Sequence, residues 1–315
     1  MKKIKVALFG HGFLGKWHAE KAKGLEESEL VLIVEPQFQN HEDLKRRYPE
    51  TEIVTSWQGH ESKFEAALIV TPTSFHFQLC HELIAIGKHI FCEKPVTSTY
   101  SEALKLSREL KPGQVFQVGH SERCHKVWED VRLKKFFKSS ELLIEVSRQS
   151  AFKARATDVD VVQDLMIHDI DLMLWLMEEK PKSLSSLGFK IRTQTWDHVK
   201  TQFEFSPQKR VEIHVGRNAA CEERYWKLTS KDGQVFIDLL RNEIRFSDNK
   251  TETTSVESYE KRDHLLLEQK SFYKSILSNI PPMVSLMDGV RAVYLVEESL
   301  NSLISSGPKK LDFRE

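Results

Sequence analysis

At 315 residues the chain has room for one large domain or two ordinary ones, and for a core that needs neither disulfides nor a structural metal. Hydrophobic residues make up 40% and charged residues 29%, with Lys+Arg equal to Asp+Glu at 46 each. That balance fits a globular protein, excludes a disordered one, and argues against a dedicated binder of nucleic acid or of an anionic bilayer.

The first 120 residues alternate short apolar runs with amphipathic stretches. Lys3–Phe9, Leu30–Val34, Ala66–Val70, His89–Cys92 and Val115–Val118 read as buried strands. Between them Phe13–Gly24, Glu42–Tyr48, Ser74–Gly87 and Ser101–Leu110 carry helical spacing, with Ser74 and Ser101 as candidate N-caps. Strands alternating with helices predict α/β class: an N-terminal Rossmann doubly wound parallel sheet over residues 1–121. Beyond it the rhythm changes. Glu141–Arg148 reads as a strand and Val161–Met177 as one long apolar helix. Antiparallel strands are expected at Ser183–Arg192, His198–Phe205, Arg210–Arg217, Tyr225–Ser230, Gln234–Leu239 and Glu243–Phe246. Two helices, Asp263–Asn279 and Asp288–Ser305, close the chain around Pro281-Pro282. Residues 122–315 are therefore expected to form an α+β domain with an open, mostly antiparallel sheet, its final helix able to pack back on the first domain.

No membrane span is expected, since the longest apolar run, Leu172 to Met177, falls far short of the ~20 residues required. The basic start reaches Gly10-His11-Gly12 before a signal-peptide core could form. Cys80, Cys92, Cys124 and Cys221 make no CxxC pair, which points to a reducing cytoplasm and to no metal site.

The run Gly10-His11-Gly12-Phe13-Leu14-Gly15 leaves a strand and opens a helix, the context in which GxGxxG holds a dinucleotide. Gly10 permits the turn, Gly12 the approach of a pyrophosphate, and Gly15 close helix–strand packing. The helix N-terminus offers free N–H groups to the phosphates. Glu35, at the end of the next strand, suits a ribose 2′-hydroxyl and would repel a 2′-phosphate. NAD is thus favoured over NADP, although Lys45-Arg46-Arg47 could reach round to a phosphate. Glu93-Lys94-Pro95 ends the fifth strand, where ligands of open α/β sheets bind, and Thr71-Pro72-Thr73 ends the fourth. Lys94 can polarise an oxygen or exchange a proton; Pro95 fits a rigid turn of either isomer. On the helix Val161–Met177, Asp164, His168 and Asp171 stand at i, i+4 and i+7 and share one face. A His with a neighbouring Asp suits proton transfer; a satisfied core His is the plain alternative.

Taken together, Gly10-x-Gly12-x-x-Gly15-x-x-His18, Thr71-Pro72-Thr73-x-x-His76, the run Gly87 to Pro95, Asp164-x-x-x-His168 and Val284-Ser285-x-x-Asp288-Gly289 resemble the Gfo/Idh/MocA oxidoreductases. The resemblance implies that Phe13, Leu14, Thr71, Pro72, His76 and Glu93 line the cofactor crevice. It also implies that Lys94 and His168 act at the reacting carbon with Asp164 nearby, and that the open sheet forms a homo-oligomer interface. Gly119-His120-Ser121-Glu122-Arg123 and the segment Arg155 to Asp171 are similar to the branch that oxidises UDP-N-acetyl-hexosamines. There Arg123 and Arg155 would suit a phosphate or uronate of the substrate. The chain departs from that branch at Cys124-His125, at Asp160 and at Gln149-Ser150-Ala151-Phe152. The expected activity is hydride transfer between NAD and a secondary alcohol of a sugar, nucleotide-linked. A cyclic polyol or tetrapyrrole substrate, or a non-catalytic sensor of NAD(H), are the alternatives.

Overall fold

The computed structural model describes residues 2–152, 159–248, 254–305 and 307–313. Contacts divide the chain into two compact units: Met1–Ser121 with Asp263–Val293, and Glu122–Arg262 with Tyr294–Glu315.

In the first unit β1 (Ile4–Phe9), α1 (Phe13–Gly24), β2 (Ser28–Val34), α2 (His41–Arg47), β3 (Glu52–Val54), β4 (Ala66–Ile69), α3 (His76–Ala85), β5 (His89–Glu93), α4 (Tyr100–Glu109) and β6 (Phe116–Gly119) follow in turn. The parallel sheet runs β3-β2-β1-β4-β5-β6. Strands such as β4 are buried along their whole length, which is why they read as unbroken apolar runs. Strand order reverses between β1 and β4, the switch point outside which doubly wound sheets bind their ligands. β3 went unpredicted, its three residues being too few for periodicity to show. The expected caps move: Thr99, not Ser101, caps α4 through a capping box with Glu102, and Ser74 lies within a 3₁₀ turn, Thr73–Phe75.

The second unit opens with α5 (Val131–Phe137) and β7 (Leu142–Gln149), and continues into α6 (Ile167–Met177). Then come β8 (Ser183–Phe189), β9 (His198–Ser206), β10 (Lys209–Gly216), β11 (Glu223–Ser230), β12 (Gly233–Asp238), β13 (Glu243–Asp248) and β14 (Thr254–Ser258). The chain ends with α7 (His264–Ser278), α8 (Leu286–Ser305) and β15 (Lys309–Lys310). Nine strands in the order β14-β13-β12-β11-β7-β10-β9-β8-β15 form one sheet, antiparallel except where β7 meets β10. Alternate residues such as Val146, Ile213, Trp226 and Ile237 are buried on one face. The opposite face carries cross-strand pairs, among them Lys200–Glu212 at 2.6 Å and Lys227–Glu145 at 2.8 Å.

The predicted helix Val161–Met177 is not one α-helix. A π turn, Val162–Met166, precedes α6 and carries Asp164. Its i→i+5 bonding adds a residue to the turn, so Asp164 falls out of α register with His168, whereas His168 and Asp171 both lie in α6. Asp171 is 1% exposed, while Asp164 and His168 are half-buried. No helix among the described residues is long and apolar enough to cross a membrane.

Candidate active site

The glycine turn is shaped by contact. Gly10 has φ +86°, a region L side chains rarely adopt, and a Cβ at Gly15 would lie 2.2 Å from the Gly10 carbonyl oxygen. A Cβ at Gly12 would meet nothing within 4 Å, and no side chain caps the first turn of α1 there. Phe13 and Leu14, in that turn, are 76% and 38% exposed. Glu35 is buried against the turn: its Oε2 accepts from the His11 N–H at 3.1 Å and its Oε1 from the Gln37 N–H at 3.0 Å. Each carboxylate oxygen keeps a lone pair for a further donor. The nearby cations are engaged, Arg46 by Asp43 and Arg47 by Glu20 at 2.9 Å. The His11 ring contacts the Tyr48 hydroxyl at 3.2 Å; burial, Arg47 and Lys16 hold its imidazole below the usual range. Thr71 Oγ1 is buried beside Gly10 with no hydrogen-bond partner among the described residues.

At the carboxyl end of β5 the Lys94–Pro95 bond is cis. His76 ties this turn to the end of β4, with Nδ1 2.8 Å from the Pro95 carbonyl oxygen and Nε2 2.9 Å from that of Thr71. A neutral imidazole donates to one of these at a time, and burial pushes the ring's pKa down. Pro72 caps the 3₁₀ turn that leads into α3. Glu93 is 8% exposed and meets His18 Nε2 at 2.8 Å. Burial pushes the Glu93 carboxyl up, but the His18 hydrogen bond and the Lys94 charge outweigh it and hold it below the ordinary value.

In the second unit Asp164 lines a cavity of about 200 Å³ with Arg148, Gln149, Arg217, Glu222 and Arg224. Asp160, one of the departures noted above, accepts from the Trp196 N–H at 2.6 Å, while its carbonyl receives the Asp164 N–H at 3.0 Å. Beneath lies a buried ionic network. Glu122 contacts Arg224, His125 at 3.1 Å and Arg148 at 3.5 Å. Arg148 also forks onto Asp169 at 2.7 and 3.0 Å. Burial would raise the Glu122 carboxyl, but Arg148, His125, Arg224 and the nearby His168 hold it well down. Arg123, expected to meet substrate, is turned inward: its Nε and Nη2 donate to Asp171 at 2.8 and 2.6 Å. Arg155 lies outside the described residues.

The first unit thus brings Gly10, Gly15, Glu35 and Thr71 together, and joins His76 to the Lys94–Pro95 turn. The second sets Asp164 on a cavity and His168 within reach of the Glu122 charge. Sequence reasoning missed the partners of these groups. His18 was visible only as the residue three beyond Gly15, and Arg148 only as the end of a strand.

Two family models match the chain: an oxidoreductase family with an NAD-binding Rossmann fold over residues 4–120, and the Gfo/Idh/MocA C-terminal domain over residues 137–236. A UDP-N-acetylglucosamine 3-dehydrogenase from Acidithiobacillus ferrooxidans is 25% identical over 88% of this chain and 90% of its own length. A scyllo-inositol 2-dehydrogenase (NAD(+)) from Bacillus subtilis is 22% identical over 99% of this chain and 97% of its own. A solved structure of UDP-N-acetylglucosamine 3-dehydrogenase from Acidithiobacillus ferrooxidans superposes with a TM-score of 0.88 at 24% identity, covering 97% of this chain and 99% of that one. With the two family models matched over residues 4–120 and 137–236, the chain belongs to the Gfo/Idh/MocA family of oxidoreductases.

Proposed function

We propose that the protein is an NAD-dependent dehydrogenase acting on a secondary alcohol of a sugar, carried as a nucleotide-linked N-acetyl sugar. The observation that carries the reading is that the first unit joins a dinucleotide cradle to Lys94 at the carboxyl end of β5. The cradle fits the cofactor on its own evidence: the open space at Gly12, the uncapped first turn of α1, and the buried, unpartnered Thr71 hydroxyl. Glu35 would accept from a ribose hydroxyl and repel a 2′-phosphate, and Arg46 and Arg47 are already paired with carboxylates. This favours NAD over NADP. Bound there, the nicotinamide supplies the hydride acceptor.

Oxidation takes a hydride from the carbinol carbon and a proton from its hydroxyl, leaving a ketone. Lys94 and His168 are assigned that proton and the developing oxyanion between them, with Asp164 assisting His168. The mixture of Asp164, Gln149, Glu222 and Arg224 around the second unit's cavity offers both donors and acceptors to a hydroxylated ring. The nucleotide-sugar assignment is supported by the likeness along most of the chain to a UDP-N-acetylglucosamine 3-dehydrogenase. The decisive assay is reduction of NAD with UDP-N-acetylglucosamine and with scyllo-inositol. Lys94→Met and His168→Ala should each lower turnover by about 10²–10⁴ while NAD affinity stays near wild type. Turnover of neither compound, or wild-type rates in both variants, would overturn the reading.

A further inference from the structure

A line of buried hydrogen bonds reaches the Lys94 turn from α7, whose Gln269 lies 251 positions along the chain from His18. Gln269 Nε2 faces the His18 carbonyl oxygen, which can only accept, so that end of the amide is the donor and Oε1 accepts from the Tyr273 hydroxyl at 3.1 Å. Gln269 Nε2 then spends its two hydrogens on His18, one on the carbonyl oxygen and one on ring Nδ1, each at 3.0 Å. A ring nitrogen that accepts carries no proton, so the His18 proton sits on Nε2 and is donated to Glu93 Oε1 at 2.8 Å. Glu93 Oε2 in turn accepts from the Lys94 N–H at 3.2 Å. Gly119 leaves room for this carboxylate, since a Cβ there would come within 3.0–3.1 Å of its atoms. His18, Gln269 and Tyr273 are 0% exposed, and Gln117 Nε2 pins α7 by its bond to the Glu268 carbonyl at 2.8 Å.

We propose that Gln269 is a positioning residue for the reaction: by locking His18 as its Nε2–H tautomer, it aims the Glu93 carboxylate at the Lys94 peptide and holds that turn in place. The inference rests on the role given above to Lys94. Without the lock either ring nitrogen of His18 can carry the proton, and the Nδ1–H tautomer leaves Glu93 Oε1 without its donor.

The test uses the full-length chain. In wild type the ring ¹⁵N spectrum should show His18 with a bare Nδ1 and a protonated Nε2, and Gln269→Glu should move a proton to Nδ1. Gln269→Leu should change the rate at which acetic anhydride acylates Lys94, read by mass spectrometry, while the exposed lysines react as before. It should also lower kcat by about 10–100-fold and shift its pH profile, with NAD affinity unchanged. Should Gln269→Leu fail to fold, Tyr273→Phe removes only the hydroxyl that orients the amide and is read in the same way. A wild-type His18 proton on Nδ1 would overturn the proposal. So would a folded variant that keeps both the wild-type Lys94 acylation rate and the wild-type pH profile. If wild type oxidises no offered alcohol, the functional reading fails, and the ring nitrogens and the Lys94 labelling still decide this one.

Discussion

Asp171→Asn should destabilise the second unit severely, because the carboxylate it removes takes two hydrogen bonds from a buried arginine. Arg123 and Asp171 are 3% and 1% exposed and share two charge-assisted bonds of 2.8 and 2.6 Å. Removing one member of such a pair leaves an uncompensated buried charge, at a cost of about 3–5 kcal/mol. Against a domain stability of roughly 5–15 kcal/mol that loss is large. Replacing both, Arg123→Met with Asp171→Leu, should return stability to within ~1 kcal/mol of wild type, since neither charge then has to be desolvated. Urea unfolding followed by circular dichroism measures both. The double variant also separates two roles for Arg123. If the guanidinium held a phosphate or uronate of the substrate, as its place in the sequence suggested, KM would rise sharply even where stability recovers. A cost below about 1 kcal/mol for Asp171→Asn would refute the reasoning.

Glu35→Ala should weaken NAD and narrow the gap to NADP; fluorescence titration of both reduced cofactors checks this, and tighter NADPH binding by wild type would contradict it. Gly15→Ala should abolish dinucleotide binding, because the added carbon, 2.2 Å from the Gly10 carbonyl oxygen, can be relieved only by moving backbone; binding within a few-fold of wild type would count against the cradle. Stability should fall as pH drops from 7 to 4. Burial depresses His11 and His76, so unfolded imidazoles protonate near pH 6.5 while the folded ones resist, and their contribution is lost below that value. Glu93 and Glu122 are depressed too, so their contribution holds above the ordinary carboxylate value and fades as pH falls toward their own lower values. A urea midpoint that stays level from pH 7 to 4 would show the signs to be wrong. The proposed oligomer, formed through the sheet face bearing Lys200–Glu212 and Lys227–Glu145, predicts a sedimentation coefficient above that of a monomer at micromolar concentration.

The parallel sheet was legible because buried strands such as Ala66–Ile69 need apolar side chains on both faces, and the glycine turn because Gly10 and Gly15 each answer a separate steric demand. β3 escaped because three residues carry too little periodicity, and α5 was missed although α2, of the same length, was not. Asp164 and His168 were singled out by their spacing, and the π turn that carries Asp164 has no signature in side-chain type. Arg123 shows the limit most clearly. A residue type suited to phosphate is equally suited to a carboxylate within the fold, and only the three-dimensional pairing with Asp171 tells them apart. Gln269 had no local signal at all, since its meaning comes from His18 at the other end of the chain.

The return of α7 to the first unit has a consequence for how the polypeptide is made. Phe272 and Tyr273 are fully buried in a cluster with Ile4, Leu8, Ile33 and Leu68, so the apolar interior of the first unit stays incomplete until they are synthesised. At ~5–20 residues per second, the emerging N-terminal sheet waits about 7–30 seconds for its last helix, while most strands of the second sheet leave the ribosome. During that interval it exposes apolar surface that chaperones would bind. A nascent chain arrested before Asp263 should therefore be the aggregation-prone species, and maturation should end with the closing of the part that was translated first.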